Sequence, residues 1–254
     1  SALTFAVKSY DSTLTIEGSL IRPDAEIGAT GVYARGGRVD IFDSTFDTPE
    51  EIRADFVSAL KLDSITGRVF NSIFLAETDV DFITVDLSSS SVIFSNNTCV
   101  LNLSSSRSSA MRIRGDRGSA IINNIFADPS EEGVAALNAD TVRTGIEIRN
   151  NCFSGWGVIV ESVSGGADSP EELNRIDGEP RGGTADGNLQ EPYTSIFKVT
   201  KGSGYELLPS SMCVDAGLDL SGRGLPAIDR AGRERPNPDG GFNPAWDLGA
   251  FELY

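Results

Sequence analysis

The chain contains no histidine, and only two methionines, two tryptophans and three cysteines among its 254 residues. Without histidine, Ser-His-Asp triads, His-based zinc sites and His general bases are excluded. Cys99, Cys152 and Cys213 are too few for a disulfide framework. Positive charge is scarce: 21 Lys and Arg against 37 Asp and Glu give a formal charge of −16. Such a surface repels nucleic-acid phosphates and anionic membranes. No window reaches the ~20 apolar residues of a membrane span, and no signal peptide opens the chain. Ser1 is not an initiator Met. A cleaved leader would explain this, as would a position at the C-terminal part of a longer protein. The second is favoured, because no amphipathic helix precedes the first repeat to cover an open sheet edge.

What the chain does have is a repeat. Phe42-Asp43-Ser44-Thr45-Phe46, Phe70-Asn71-Ser72-Ile73-Phe74, Ser95-Asn96-Asn97-Thr98-Cys99, Ile122-Asn123-Asn124-Ile125-Phe126 and Arg149-Asn150-Asn151-Cys152-Phe153 are versions of one pattern. Glu17-Gly18-Ser19-Leu20-Ile21 is a weaker copy. Their middle residues fall at 19, 44, 72, 97, 124 and 151, at intervals of 25, 28, 25, 27 and 27. Units of that length stack because each is too small to bury its own apolar face. Each holds two short period-two stretches, such as Val85-Asp86-Leu87 and Val92-Ile93-Phe94, separated by turn formers, such as Ser88 to Ser91. Strand, turn, strand, polar corner and aromatic leave little room for a helix. The pattern predicts an all-β, right-handed, single-stranded parallel β-helix, since parallel crossovers are overwhelmingly right-handed. Coils are expected over residues 1–164, with end coils and an irregular capping region on the same solenoid over 165–254.

The polar corner has a mechanical purpose. Stacked Asn or Ser side chains ~4.8 Å apart can bond from coil to coil, and Asn tolerates left-handed backbone angles. Either Asn71, Asn96, Asn123 and Asn150 or their neighbours Ser72, Asn97, Asn124 and Asn151 should form one internal ladder. Two residues on, Phe46, Phe74, Phe126 and Phe153 should stack, with Cys99 taking that slot once. Cys99 and Cys152 then lie two coils apart, ~10 Å along the axis, too far for a disulfide. A Cys152–Cys213 pairing stays open.

Acidic loops follow the aromatic column: Asp47 to Glu51, Glu77 to Asp81, Asp128 to Glu132 and Asp168 to Glu172. Thr48-Pro49-Glu50-Glu51 and Ser169-Pro170-Glu171-Glu172 have the form of helix starts, with a cap, a first-turn Pro and a Glu. Such carboxylates can also collect Ca²⁺. Asp79 and Asp81 are the calcium candidates, although nothing in the sequence requires a cofactor.

From Gly165 the chain changes character. Gly182 to Pro192 is followed by Ser195-Ile196-Phe197 and by Tyr205 to Ser211. Cys213-Val214-Asp215-Ala216-Gly217, Ile228 to Pro236 and Trp246-Asp247-Leu248-Gly249-Ala250-Phe251-Glu252 then close the series. This order of motifs resembles the C-terminal region of secreted bacterial β-helix proteins of the pectate-lyase-like superfamily, the choice-of-anchor Q group above all. Ser211-Met212-Cys213-Val214 stands where that group usually has Ser-Pro-Ala-Ile. The resemblance implies a right-handed β-helix, export from a bacterium and an extracellular or cell-surface location. It also implies that Asp215, Asp229, Arg235 and Asp247 tie irregular backbone onto the last coil. Some relatives cleave polysaccharides, pairing an Arg or Lys base with Ca²⁺ held by Asp.

No catalytic motif of those relatives maps onto this chain residue by residue. A noncatalytic glycan-binding or adhesive module is therefore favoured over a polysaccharide lyase or glycoside hydrolase acting on acidic polysaccharide. Arg112, Arg114 and Arg117, one coil beyond Asp86, and Arg143 on the next coil are the candidate ligand-binding residues, basic in an acidic protein. Guanidinium forks suit carboxylated or sulfated sugars.

Overall fold

The computed structural model describes residues 4–23, 29–48, 56–103, 108–115, 118–131, 135–140, 145–162, 166–175, 184–198, 204–238 and 245–253. Three strand columns wind around one apolar core. The first face carries Phe56–Asp63, Asp81–Ser88, Ser109–Arg114, Ala135–Ala139 and Val158–Ser162. The second carries Thr66–Phe70, Ser91–Ser95, Ala120–Ile122, Glu147–Arg149 and Thr184–Asp186. Thr4–Glu17 and Ala29–Phe42 each span both faces, which joins them into one 12-stranded sheet. The third face is a separate 7-stranded sheet: Leu20–Ile21, Thr45–Thr48, Ile73–Thr78, Thr98–Leu103, Ile125–Ala127, Cys152–Ser154 and Leu189–Gln190. Pairing within both sheets is parallel, and each coil lies one repeat beyond the last. The fold is an all-β, right-handed parallel β-helix.

The corner between the second and third faces explains the repeated polar pair. Its first residue takes a left-handed backbone at Asp43, Asn71, Asn96, Asn123 and Asn150, with φ between 49° and 59°. That is why Asn and Asp hold these positions, with Gly18 and Gly187 at the two ends. Its second residue points inward and forms the ladder. The amide of Ser72 donates to Asn97 Oδ1 at 2.9 Å, that of Asn97 to Asn124 Oδ1 at 3.0 Å, and that of Asn124 to Asn151 Oδ1 at 3.0 Å. Serines continue it at the N-terminal end, where Ser44 N donates to Ser72 Oγ at 3.2 Å. Asn188 extends it past the sequence repeat, accepting from Asn151 N at 3.1 Å, and Asn174 ends it by accepting from Asn188 N at 3.0 Å. The other corner has a serine counterpart. Ser90 Oγ accepts from Ile65 N and Ser119 Oγ from Val92 N, each at 3.1 Å.

Inside, Phe46, Phe74, Phe126 and Phe153 are wholly buried on the third face. Cys99 lies in register between Phe74 and Phe126 and is too small to continue the column. Phe94, from the second face, fills the gap, with ring centroids 5.6 Å from Phe74 and 6.3 Å from Phe126. The aromatic stack is thus continuous, built from two faces.

At the C-terminal end of the coils a short helix, Pro170–Leu173, places Leu173 in the core beside Ala167. Ser169 caps it, accepting from Glu172 N at 3.2 Å. The other proposed helix start runs into residues 49–51, outside the described residues, and Thr48 itself ends a strand.

The segment beyond residue 191 does more than close that end. It turns back and lies along the corner, covering the outer sides of the second and third faces. Each left-handed asparagine aims its outward amide at a tail carbonyl. Asn150 donates to Ala216 O, Asn123 to Leu218 O and Asn71 to Ile228 O, all at 2.8 Å, and Asn96 to Asp247 O at 3.4 Å. Arg230 reaches Ser44 O at 2.9 Å. The resemblance implied that Asp215, Asp229, Arg235 and Asp247 fasten the tail to the last coil; the observed bonds differ. Asp215 and Asp247 join each other and their own loop, and Asp229 accepts from Arg233 N and Glu252 N. Arg235 donates to Asp247 O and Gly249 O. These groups hold the tail in its own shape, and the corner asparagines attach it across several coils.

Candidate functional site

The first face presents the arginines. Its outer row runs Lys61, Asp86, Arg112, Asn138, Glu161 in register from coil to coil. Arg112 Nε and Nη2 donate to the two oxygens of Asp86 at 3.2 and 2.7 Å, and Arg114 Nη2 adds contacts at 3.1 and 3.2 Å. Asp86 is 1% exposed beneath them. Two guanidinium groups share one carboxylate, and every bond crosses between coils. Arg117 and Arg143 lie outside the described residues. Asp79 is exposed and Asp81 half-buried; neither gathers with two further metal-binding side chains among the described residues.

A different constellation sits on the third face. Asp47, Leu75 and Val100 stand in register on its outer side, with Glu77 and Asn102 two residues further along the strands. Asp47 and Glu77 therefore belong to strands, where the sequence pattern had suggested loops. The tail supplies a wall: Tyr193 and Tyr205 meet Phe197 edge-on, with centroids 5.6 and 5.3 Å away. Together with Thr48, Ala76 and Pro129 these residues line a groove of about 350 Å³. Asn102 Nδ2 donates to Glu77 Oε1 at 3.2 Å, and Arg22 Nε donates to Asp47 at 3.1 Å. Burial pushes both tyrosine hydroxyls above their ordinary pKa, and the neighbouring Tyr193 and Asp47 push Tyr205 further. Both hydroxyls therefore stay protonated and able to donate. Leu75 and Val100 form an apolar floor, the rings can stack a flat apolar face, and carboxylates and amide can accept or donate at the rim.

A second groove of about 650 Å³ lies near Glu131, Trp156, Glu171 and Glu191. Its aromatic ring is committed to the core, since Trp156 is buried and donates Nε1–H to Phe126 O at 3.1 Å.

The third-face groove escaped sequence reasoning because half of it comes from the tail, whose placement no repeat encodes. Its strand half carried a signal: Asp47, Leu75 and Val100 alternate with the inward Phe46, Phe74 and Cys99. Among the described residues no helix is long and apolar enough to cross a membrane. No protein-family model matches the chain, and no curated protein or solved structure matches it either.

Proposed function

We propose that this chain is a noncatalytic glycan-binding module of an exported bacterial β-helix protein, working at the cell surface or outside the cell. The observation that carries this reading is the third-face groove, where Tyr193 and Tyr205 face an apolar floor rimmed by Asp47, Glu77 and Asn102. A pyranose has an apolar face for an aromatic ring and hydroxyls for carboxylate and amide. The acidic rim selects neutral sugars over uronates. The motif series of the C-terminal third, similar to that of pectate-lyase-like surface proteins, supports export and membership of that superfamily. The internal ladders support the noncatalytic assignment, because structure alone accounts for the repeated polar residues.

Titration calorimetry with neutral oligosaccharides and with uronate oligomers tests it. Neutral sugars should bind, and Tyr205→Ala or Glu77→Gln should weaken binding about tenfold, about 1.4 kcal/mol, with unchanged circular dichroism. Retained affinity in both variants would sink the assignment of the groove.

A second reading is cleavage or binding of acidic polysaccharide at the first face. It is favoured by Arg112 and Arg114 flanking Asp86. Absorbance of unsaturated uronate products, abolished by Asp86→Asn, would establish a lyase.

A further inference from the structure

The tail and the last coils meet at a buried trio that neither the glycan groove nor the ladders use. The sulfurs of Cys152 and Cys213 and a carboxylate oxygen of Glu191 all lie within 4.8 Å of one another. Both cysteines are fully buried, and Glu191 nearly so. They come from separate parts of the fold. Cys152 is on the outer side of the third face, in register with Ile125 and Leu189, whereas Cys213 belongs to the tail. The third cysteine is placed otherwise. Cys99 sits in the inner column, between Phe74 and Phe126, and shares no contact cluster with the pair.

Two chemistries suit a pair of thiols at this separation: a metal ion or a disulfide. Zinc would need thiolates at ~2.3 Å and a set of four ligands. Glu191 is ill placed to join such a set, because its carboxylate is already occupied. Oε2 accepts from Ser211 Oγ at 2.6 Å, from Met212 N at 3.0 Å and from Cys213 Sγ at 3.7 Å; Oε1 accepts from Met212 N at 3.1 Å. A disulfide disturbs less. It removes only the thiol protons and brings the sulfurs, now within 4.8 Å of each other, to ~2.05 Å.

We propose that Cys152 and Cys213 form a disulfide that locks the tail onto the flank of the solenoid. The oxidant is a small-molecule or protein disulfide, RSSR. One cysteine thiolate attacks a sulfur of RSSR and expels RS⁻, leaving a mixed disulfide. The second thiolate attacks the cysteine sulfur of that mixed disulfide and expels the second RS⁻. The protein loses two protons and two electrons, and two RSH are produced. Burial, then the neighbouring Cys213 and, less, the Glu191 charge hold the Cys152 thiol well above its ordinary pKa, which keeps thiolate scarce while the tail is docked. Oxidation is accordingly fastest while the tail is still open, and the finished bond is shielded from reductants.

The reduced 254-residue chain is incubated with oxidised glutathione, in buffer and in urea below the main unfolding transition. It is then alkylated, digested without reduction and analysed by mass spectrometry. The expected product links the Cys152 and Cys213 peptides, forms faster in urea and leaves Cys99 alkylated only after full denaturation. Tail release, followed by the fluorescence of Trp246, should shift to higher urea on oxidation and return on reduction. Cys99→Ser should change neither the linkage nor the shift, and Cys213→Ser should abolish both. Peptides of Cys152 and Cys213 that stay unlinked under both conditions would overturn the proposal. So would linkage through Cys99, or one equivalent of Zn²⁺ bound by the reduced chain and blocking oxidation.

Discussion

The coils and the tail are held by opposite strategies. In the coils one backbone conformation recurs, so one residue type solves one problem at every level: Asn97, Asn124 and Asn151 each accept from the amide one coil earlier. The tail repeats nothing. Its centre is Arg235, 4% exposed, which donates to Glu252 Oε2 at 3.1 Å and to the carbonyls of Asp247 and Gly249, with its guanidinium 5.8 Å from the Trp246 ring. A solenoid can distribute damage over neighbouring coils. A buried charge cluster cannot, because each partner's solvation depends on the others. The coils should therefore tolerate single losses in proportion to what is removed, and the tail should respond to protonation.

The largest effect is expected in the coils. Phe126→Ala opens a cavity between Phe94 and Phe153 and should cost about 3–5 kcal/mol in urea melts. A variant as stable as the wild type would show that the aromatic column is not continuous.

The tail should respond to pH through Glu252. Burial, opposed by Arg235 and reinforced by Asp247, raises Glu252 from 4.5 to about 7. An unfolded chain ionises this group near 4.5, so between that pH and about 7 the folded state binds the extra proton. Its contribution is full below the unfolded value and is lost as pH rises through about 7. That range sets an upper limit of about 3–4 kcal/mol, which solvent screening lowers. Desolvation shifts Asp247 in the same direction. Tail release monitored at Trp246 should thus occur at lower urea at pH 8 than at pH 5, and Glu252→Gln should flatten the difference. A slope unaffected by that substitution would assign the pH response elsewhere.

A smaller effect is expected from one rung. Asn124→Ala leaves the amide of Asn97 and the carbonyl of Phe94 without their partner and should cost about 1–3 kcal/mol. Asn123→Ala, one residue earlier, should chiefly loosen the tail, because that side chain exchanges bonds with Leu218. Comparing the two variants by hydrogen exchange separates the two jobs of the pair.

The same contrast explains what could be read in advance. Period, parallel topology and the polar corner were legible because each coil restates them. Which member of Asn123-Asn124 faces inward depends on a backbone φ of 59° at Asn123, and either order was consistent with the sequence. Phe94 filling the space beside Cys99 was hidden, since it crosses from one face to another. The groove was half legible, in the alternation of Asp47 and Leu75 with Phe46 and Phe74. Tyr193 and Tyr205 reach it through a tail whose contacts with the coils, made by Ala216, Leu218, Ile228 and Asp247, follow no spacing. Arg112 and Arg114 were visible as a basic pair, and their common partner is the carboxylate one coil away.

The direction of the tail has a consequence for the order of assembly. Each coil needs only its predecessor, so the solenoid can grow as the chain is synthesised, from the Thr4–Glu17 edge onward. Residues that dock on Asn71 and Ser44 follow these coils in the sequence, yet they settle beside coils formed before them. Until then a row of unsatisfied asparagine amides runs up the corner of a finished rod. Docking therefore comes after the coils it bridges, and it ties later chain back onto earlier coils.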